Sequence, residues 1–371
     1  MKRRKRKRAK IDAVDLFCGA GGLSYGLALE GISVRAGFDL DPACAWPFKK
    51  NVKATFHCDD VADLSGNSLK KYFNQSAIRL LAGCAPCQKF SSYTQKASRS
   101  DRQRWRLLDS FTRIALELKP ELITMENVPG LPRHRRFARF LRALKDAGYS
   151  TWYEVVECAE YGMPQHRKRV VVLASKLGPV RLLTPEEYGA KSHTVRHAIG
   201  KLPRVAAGKT HKYDSLHRAS ALSQENEKRI LASRPGGTWR DWPKQLILPC
   251  HRKASGAGDP SIYGRMEWDT QSPTITTLAY NYGSGRFGHP TQNRAMTLRE
   301  AALLQTFPRK YSFIRPYDQA NVRVLGRLIG NAVPVALARV IGRSIYQHVK
   351  SLSRKDGASS PARKGQHRTN K

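Results

Sequence analysis

Acidic side chains are scarce in this 371-residue chain, which has 29 Asp and Glu residues against 66 Lys and Arg residues. The formal net charge at pH 7 is therefore +37. An excess of this size is typical of proteins that bind polyanions, because each neutralised phosphate releases counterions. The basic ends, residues 1–10 and 351–371, account for only part of it, since further clusters occur at residues 99–106, 133–142 and 166–169. The charge balance predicts a nucleic-acid-binding protein.

Cysteines and long apolar runs are also scarce. The seven cysteines are odd in number and scattered, which does not suggest a framework of disulfide bonds. No apolar run approaches the length of a membrane span, and no apolar stretch of the signal-peptide type follows the charged start. We therefore expect a soluble protein of the cytoplasm with no membrane partner.

Glycines follow the first predicted strand. Residues 11–17 form a short apolar strand, and Gly19, Gly21 and Gly22 lead from it into a predicted helix at residues 23–30. Glycines between a strand and a helix let backbone N–H groups approach a ligand closely. No phosphate-binding lysine follows them, which disfavours a P-loop.

Acidic residues end the next two predicted strands. Asp39 follows the strand at residues 33–38, about 20 residues beyond the glycines, where a carboxylate is placed to bind ribose hydroxyls. Asp59 and Asp60 close a third short strand, within reach of the exocyclic amine of an adenine. Each acid alone is as compatible with a helix cap. Together with the glycines they predict a half-site for an adenosine-bearing cofactor without a polyphosphate, a description that S-adenosylmethionine meets.

A loop that contains two cysteines follows another predicted strand. An apolar run at residues 78–82 predicts a buried strand, and Cys87 follows it between Pro86 and Gln88. A loop at the end of a strand is a common place for a nucleophile. An isolated cysteine is more often a buried packing residue, and Cys84-x-x-Cys87 alone also fits a redox pair or half of a zinc site.

Local patterns predict the elements around these residues. Apolar residues at helical spacing indicate a helix at residues 107–118, and a buried strand at residues 121–125 delivers Glu126 at its end. Residues 165–169 read as a loop between two strands, and a long apolar helix follows Gly330 and Asn331 within residues 324–348.

Six short motifs occur in an order and spacing that are very specific. They are DLFCGAGG at residues 15–22, PCQ at 86–88, ENV at 126–128, QHRKR at 165–169, REAALLQTFP at 299–308 and GNAVP at 330–334. They resemble the motifs of the bacterial DNA (cytosine-5)-methyltransferases over nearly the whole chain. The resemblance implies an α/β, Rossmann-like fold for an S-adenosylmethionine-dependent methyltransferase, with a smaller, irregular target-recognition domain that binds double-stranded DNA.

The resemblance also implies the reaction. Carbon 5 of cytosine is a poor nucleophile, but a thiolate added to carbon 6 leaves an enamine that attacks a methyl sulfonium. Cys87, beside Gln88, would supply the thiolate, and Arg167 or Arg169 would favour its ionisation. Glu126 would share a proton with ring nitrogen 3 and offset the developing charge. The base must leave the duplex to be reached.

We expect the cofactor to contact residues from several motifs. The expected contacts are Phe17, Gly19, Gly21, Gly22, Asp39, Leu40, Asp60, Val61, Leu107 and Asn331. Leu40 departs from the family, whose members often have a tryptophan there to stack on adenine, and would cover the ring by dispersion only. No metal site is predicted.

The amino-acid composition changes after residue 175. Gly, Pro, His and basic residues become frequent there, and aromatic residues such as Trp239, Trp242 and Tyr263 lie among the cations. This mixture suits base edges and phosphates. The predicted divisions are a basic arm (1–10), the first part of a catalytic domain (11–175), a target-recognition domain and hinge (176–320), a C-terminal return to the catalytic domain (321–350) and a basic tail (351–371).

Two other functions remain as alternatives. An RNA cytosine-5 methyltransferase shares the chemistry, although members acting on transfer RNA have a short recognition region and this chain has about a hundred residues there. A non-catalytic DNA-binding protein would not need Cys87, Glu126 and a cofactor half-site together. We expect a monomer. The recognised sequence and the existence of a cognate restriction endonuclease are left open.

Overall fold

The structure, a computed structural model, describes residues 10–86, 100–253, 261–316 and 318–358, and for 100–105 and 353–358 only the backbone. Cys87 and Gln88 lie outside the described residues, as do the arm before Lys10 and the tail after residue 358.

A seven-stranded sheet forms the centre of the fold. Its strands are β1 (Ile11–Leu16), β2 (Ser33–Phe38), β3 (Thr55–His57), β4 (Ile78–Gly83), β5 (Leu122–Asn127), β6 (Ser150–Glu157) and β7 (Lys168–Ser175), in the order β3-β2-β1-β4-β5-β7-β6. The first five strands pair in parallel, and β7 runs antiparallel to β5 and β6. The strand order reverses between β1 and β4, and ligands of such sheets bind beyond the carboxyl ends of the strands at that point.

Helices cover both faces of the sheet. The α-helices of the described residues are α1 (Gly22–Leu29), α2 (Ala45–Val52), α3 (Ser100–Leu118), α4 (Arg135–Asp146), α5 (Pro185–Tyr188), α6 (Val195–Ile199), α7 (Gln224–Ala232), α8 (Leu298–Leu304), α9 (Val322–Asn331) and α10 (Val335–Ala358). Of these, α1 and α10 lie on one face of the sheet and α3 and α4 on the other. Successive side chains of a strand point to opposite faces. Val14 and Leu16 accordingly pack with the α3 and α4 side, whereas Ile11 and Ala13 pack with α1 and α10. The α/β prediction is confirmed.

The last two helices contain a segment, Val322–Leu352, that is long and apolar enough to cross a membrane, contrary to the expectation from sequence. In its most apolar window, 72% is buried inside the protein. Ala332, Val333 and Pro334 separate α9 from α10, and the long apolar helix predicted after Gly330 and Asn331 is α10. The segment is a pair of core helices.

Helix α10 completes the layer that α1 begins. Glu30, at the end of α1, accepts hydrogen bonds from Arg339 at 2.8 Å and Arg343 at 3.0 Å. A methyl group at Gly26 would lie 2.3 Å from the Cβ atom of Ala338, so the two helices approach closely.

Residues 176–297, here called the insert, contain only short helices and the two-stranded hairpin β8 (Thr210–His211) and β9 (Asp214–Arg218) among their described positions. The irregular secondary structure of the insert agrees with the prediction. Trp239 and Trp242 are buried, at 6% and 4% exposure, and the Trp242 indole donates to Ser233 Oγ at 2.9 Å. These two aromatics build the core of the insert, so the expectation that they face base edges is wrong.

Three further boundaries differ from those predicted. Helix α3 begins at Ser100 rather than residue 107. Strand β5 extends through Asn127, so Glu126 is a strand residue and not the first residue beyond it. Lys168 and Arg169 belong to strand β7, which leaves only residues 165–167 of the predicted loop outside it.

Candidate active site

The turn after β1 is held in a conformation that few residues adopt. Gly19 and Gly21 have φ values of 52° and 89°, and the non-glycine Phe17 has φ 59°. Glycine meets this requirement without strain, whereas Phe17 stores some strain at the site. A Cβ atom at Gly22 would lie 2.3 Å from the carbonyl oxygen of Val333. The first and last motifs of the chain therefore touch through a position that only glycine fits.

Asp39 binds this turn directly. Its Oδ2 accepts from the backbone N–H of Gly19 at 2.8 Å, and its Oδ1 accepts from the N–H of Asp41 at 3.0 Å. Burial raises the pKa of Asp39 above its ordinary value, partly offset by these two hydrogen bonds. The glycines and the acid after β2 thus form one unit, and the remaining lone pairs of the carboxylate are available for ribose hydroxyls.

The other predicted cofactor residues differ in their hydrogen bonds and in their exposure to solvent. Asp60 Oδ1 accepts from the N–H of Ala62 at 2.9 Å and caps a short 3₁₀ helix, so the capping alternative is right for this oxygen. Val61 is buried beside it at 2% exposure, and Leu40 is 64% exposed. Leu107 is half-buried on α3, and Asn331 is an exposed residue at the end of α9. The glycine turn, Asp39 and a buried Val61 fit S-adenosylmethionine, and these residues would hold it.

Asp15 lies inside β1 under the glycine turn, and no role was predicted for it from the sequence. Its side chain is fully buried, Ser24 Oγ donates to Oδ2 at 2.6 Å, and Oδ1 has no hydrogen-bond partner among the described residues. Burial raises the pKa of Asp15 to about 7. An acid in the middle of an apolar strand is the sequence signal that would have found it.

Glu126 lies near the carboxyl end of β5. Its side chain is 3% exposed, and the Cys84 thiol donates to its Oε2 at 2.9 Å. Arg169 Nε lies 3.0 Å from Oε1 as an ion pair, without the alignment of a hydrogen bond. The pairing of β5 with β7 places Glu126 opposite Val171 and so brings Arg169 to this end of the strand.

Arg167 forms its hydrogen bonds with backbone carbonyls outside this group. Its guanidinium is buried and donates to the carbonyl oxygens of Ile275 at 3.0 Å, Gly330 at 3.1 Å and Ala332 at 3.4 Å. Burial lowers the pKa of Arg167 to about 9. Arg167 therefore connects the sheet to the end of the insert and to the last motif. Its role beside the cysteine loop stays a prediction, because Cys87 lies outside the described residues.

Two glutamines complete this junction. Gln165 Nε2 donates to Gln305 Oε1 at 3.0 Å, and Gln165 Oε1 accepts from the N–H of Ile275 at 2.8 Å. Gln305 Nε2 in turn donates to the carbonyl of Ile329 at 2.8 Å. Both glutamines lie within the motifs that the sequence analysis quoted, but neither had been given a role.

The chain that leads to Cys87 is tied to β5. Asn127 Nδ2 donates to the carbonyl oxygen of Ala85 at 2.8 Å, and the N–H of Cys84 donates to the carbonyl of Leu16 at 3.2 Å.

Among the described residues no group of three or more His, Cys, Asp or Glu side chains could hold a metal ion.

The family model described as "C-5 cytosine-specific DNA methylase" matches residues 11–347. The chain belongs to this family. As a C-5 cytosine methylase it transfers the methyl group of S-adenosylmethionine to carbon 5 of cytosine in double-stranded DNA, and the resemblance seen in the motifs is confirmed.

Curated relatives of this methylase extend over most of its length. The type II methylase M.HgiDII of Herpetosiphon aurantiacus is 46% identical over 91% of this chain and 96% of its own. The type II methyltransferase M.PspPI of a Psychrobacter species is 31% identical over 90% of this chain and 78% of its own.

Solved structures show the same fold. A prophage-encoded protein from Escherichia coli, described as a DNA modification methyltransferase, has a TM-score of 0.70 and 22% identity over 92% of this chain and all of its own. Entamoeba histolytica methyltransferase EhMeth has a TM-score of 0.60 and 14% identity over 92% of this chain and 99% of its own.

Proposed function

We propose that this methylase works as a monomer in the cytoplasm and modifies one specific duplex sequence as part of a type II restriction–modification system. The curated relatives carry type II names, and the net charge of +37 suits a duplex partner. A cognate endonuclease would cleave the same sequence when it is unmodified.

We assign the chemistry to Cys87 and Glu126. The observation that carries the assignment is the buried Glu126 carboxylate, which lies at the end of β5 beside the tethered chain that leads to Cys87. Addition of the Cys87 thiolate to carbon 6 makes the ring electron-rich at carbon 5, and Glu126 offsets the charge that develops at ring nitrogen 3. The bound cofactor supplies the methyl group as a sulfonium.

Arg169 is the cation of the site. At 3.0 Å from Glu126 it compensates the buried carboxylate, and its charge also favours ionisation of a thiol nearby. Gln88, next to the nucleophile in sequence, is assigned to the same catalytic group. After methyl transfer, water removes the proton of carbon 5 and the Cys87 thiolate leaves.

A trapping experiment tests this reaction assignment. Duplex DNA carrying 5-fluorocytosine cannot lose the carbon 5 substituent, so the methylated base should stay attached to Cys87 and be found there by peptide mass spectrometry. Transfer RNA with labelled cofactor is the comparison substrate. Label in transfer RNA but not in duplex DNA, or an adduct on another residue, would refute the assignment.

A chimera tests where the sequence choice resides. We assign it to the insert, because the glycine turn and Glu126 serve a cofactor and one cytosine that are the same in every target. Residues 176–271 should be exchanged for those of a relative with a known, different target, which keeps the Gln165 and Arg167 contacts to Ile275. Bisulfite sequencing should show the donor's target. An active chimera with the original target would place recognition outside the insert.

A further inference from the structure

The Cys84 thiol occupies a position that the reaction does not explain. Cys84 follows β4 directly and precedes the nucleophile by three residues, and its thiol donates to Glu126 Oε2 at 2.9 Å. Its backbone is fixed independently by the hydrogen bond to Leu16. The thiol therefore has a defined direction, and it points at the carboxylate to which the proposed function assigns the acid role.

The thiol is present as a hydrogen-bond donor at neutral pH. Burial and the neighbouring Glu126 raise the pKa of Cys84 well above its ordinary value. A protonated thiol donates one hydrogen bond and carries no charge, so it orients the carboxylate without adding a second ion pair. Arg169 approaches the other oxygen, Oε1, from β7.

Glu126 is thus held from two sides. The described residues provide one aligned donor, the Cys84 thiol, and one unaligned cation, Arg169, while the buried Oε1 has no hydrogen bond among them. A buried carboxylate oxygen without a hydrogen bond is unfavourable, and Oε1 can accept one from a bound substrate. Fixing Oε2 limits rotation of the carboxylate about its last torsion angle, so the free lone pairs keep one direction.

We propose that Cys84 is a positioning residue for the methyl-transfer reaction: its thiol fixes the orientation in which Glu126 meets the flipped cytosine. The inference rests on the role proposed for Glu126. The competing explanation is that Cys84 is an apolar filler at the end of β4, as buried cysteines often are.

Three substitutions at Cys84 separate the two explanations. Cys84→Ser keeps a donor of similar size, Cys84→Val fills the volume without a donor, and Cys84→Ala removes both. If the thiol positions Glu126, kcat should be close to wild type for Ser and roughly five- to tenfold lower for Ala and Val, the loss of one hydrogen bond to a carboxylate. KM for DNA and for the cofactor should change little.

The opposite order of kcat values among the Cys84 variants would overturn the proposal. Packing alone predicts that Val retains the wild-type kcat and Ser does not, and a wild-type kcat in Cys84→Ala would also refute it. Cys158→Ala is the matched control, because Cys158 is a buried thiol near β7 for which the described residues give no side-chain hydrogen bond. It should lower the melting temperature and leave kcat unchanged.

A double-mutant cycle with Glu126→Gln distinguishes this inference from the function it rests on. If the thiol acts through the carboxylate, Cys84→Ala should have less effect on kcat in the Glu126→Gln background than in the wild type. Equal effects in both backgrounds would refute the inference. A Glu126→Gln enzyme with full activity would instead refute the role proposed for Glu126.

Discussion

At the scale of the residue, Glu126 combines burial with two different neighbours. Glu126→Gln should keep the shape of the side chain and the fold but lower kcat by ~10²–10³, because an amide cannot share a proton with the base. Single-turnover methylation of duplex DNA measures the effect. The matched control is Glu121→Gln, just before β5, where the carboxylate pairs with Arg79 away from the site. Unchanged turnover in Glu126→Gln would remove this residue from the mechanism.

Cys87→Ala should abolish methyl transfer and leave duplex binding intact, because binding rests on the basic surface and the insert. Filter binding and incorporation of labelled methyl groups measure the two properties separately. Cys250→Ala, a change at an exposed thiol of the insert, is the control and should retain activity. Residual methylation by Cys87→Ala would show that another group is the nucleophile.

The motifs predict roles for Cys87, Glu126, Arg167 and Arg169, and they do not separate the two arginines from each other. The two arginines are two positions apart, and nothing local distinguishes them. Arg169 is on β7 and reaches Glu126, whereas Arg167 bonds to carbonyls more than a hundred residues further along the chain. Contacts at that separation are set by the tertiary structure, and local pattern does not encode them.

At the scale of the secondary-structure element, the N-terminus of α8 is part of a buried cluster of polar side chains. Glu300 accepts two hydrogen bonds from Arg294, at 2.8 and 2.7 Å, and also forms a capping box with Thr297. His289 lies next to this pair, and its Nδ1 accepts from the N–H groups of Thr291 at 3.2 Å and Gln292 at 3.0 Å. These acceptor roles require a neutral ring, and burial lowers the pKa of His289 to about 4.

The protein should lose stability in acid because of His289. The unfolded chain takes up this proton near pH 6.5 and the folded one only near pH 4, so the free energy of unfolding falls as the pH decreases through that interval. The effect is at most about 3 kcal/mol. Urea unfolding at pH 7.5 and 5 measures it. His289→Asn, which keeps an acceptor but cannot titrate, should flatten the dependence; an unchanged slope would refute this account.

Two strands were predicted closely from the sequence. The bounds of β2 and β4 agree to within one residue, although each strand contains an arginine, Arg35 or Arg79. The first turns of α3 are mostly charged, so residues 100–106 show no apolar period. Pro334 ends the continuity between α9 and α10, because proline cannot donate within a helix.

At the scale of the whole molecule, the basic arm contributes charge that is separate from the site. Deleting residues 1–10 should weaken duplex binding at low salt and flatten the plot of log affinity against log salt by roughly 0.9 for each phosphate that the arm would otherwise neutralise. The methylated sequence should not change, because an arm of this composition contacts phosphates rather than base edges. An altered target in bisulfite sequencing would show that the arm reads DNA. Deleting residues 359–371 provides the comparison for charge at the other end.

The pairing of α1 with α10 has a consequence for synthesis on the ribosome. Glu30 meets Arg339 and Arg343 across 309 and 313 positions, and the layer beneath β1 is incomplete until those residues have been made. A nascent chain therefore exposes the face of α1 that packs against α10 until α10 has been made. Contacts at such separation slow folding and leave apolar surface open to association. Methylating activity should therefore require a chain that includes α10.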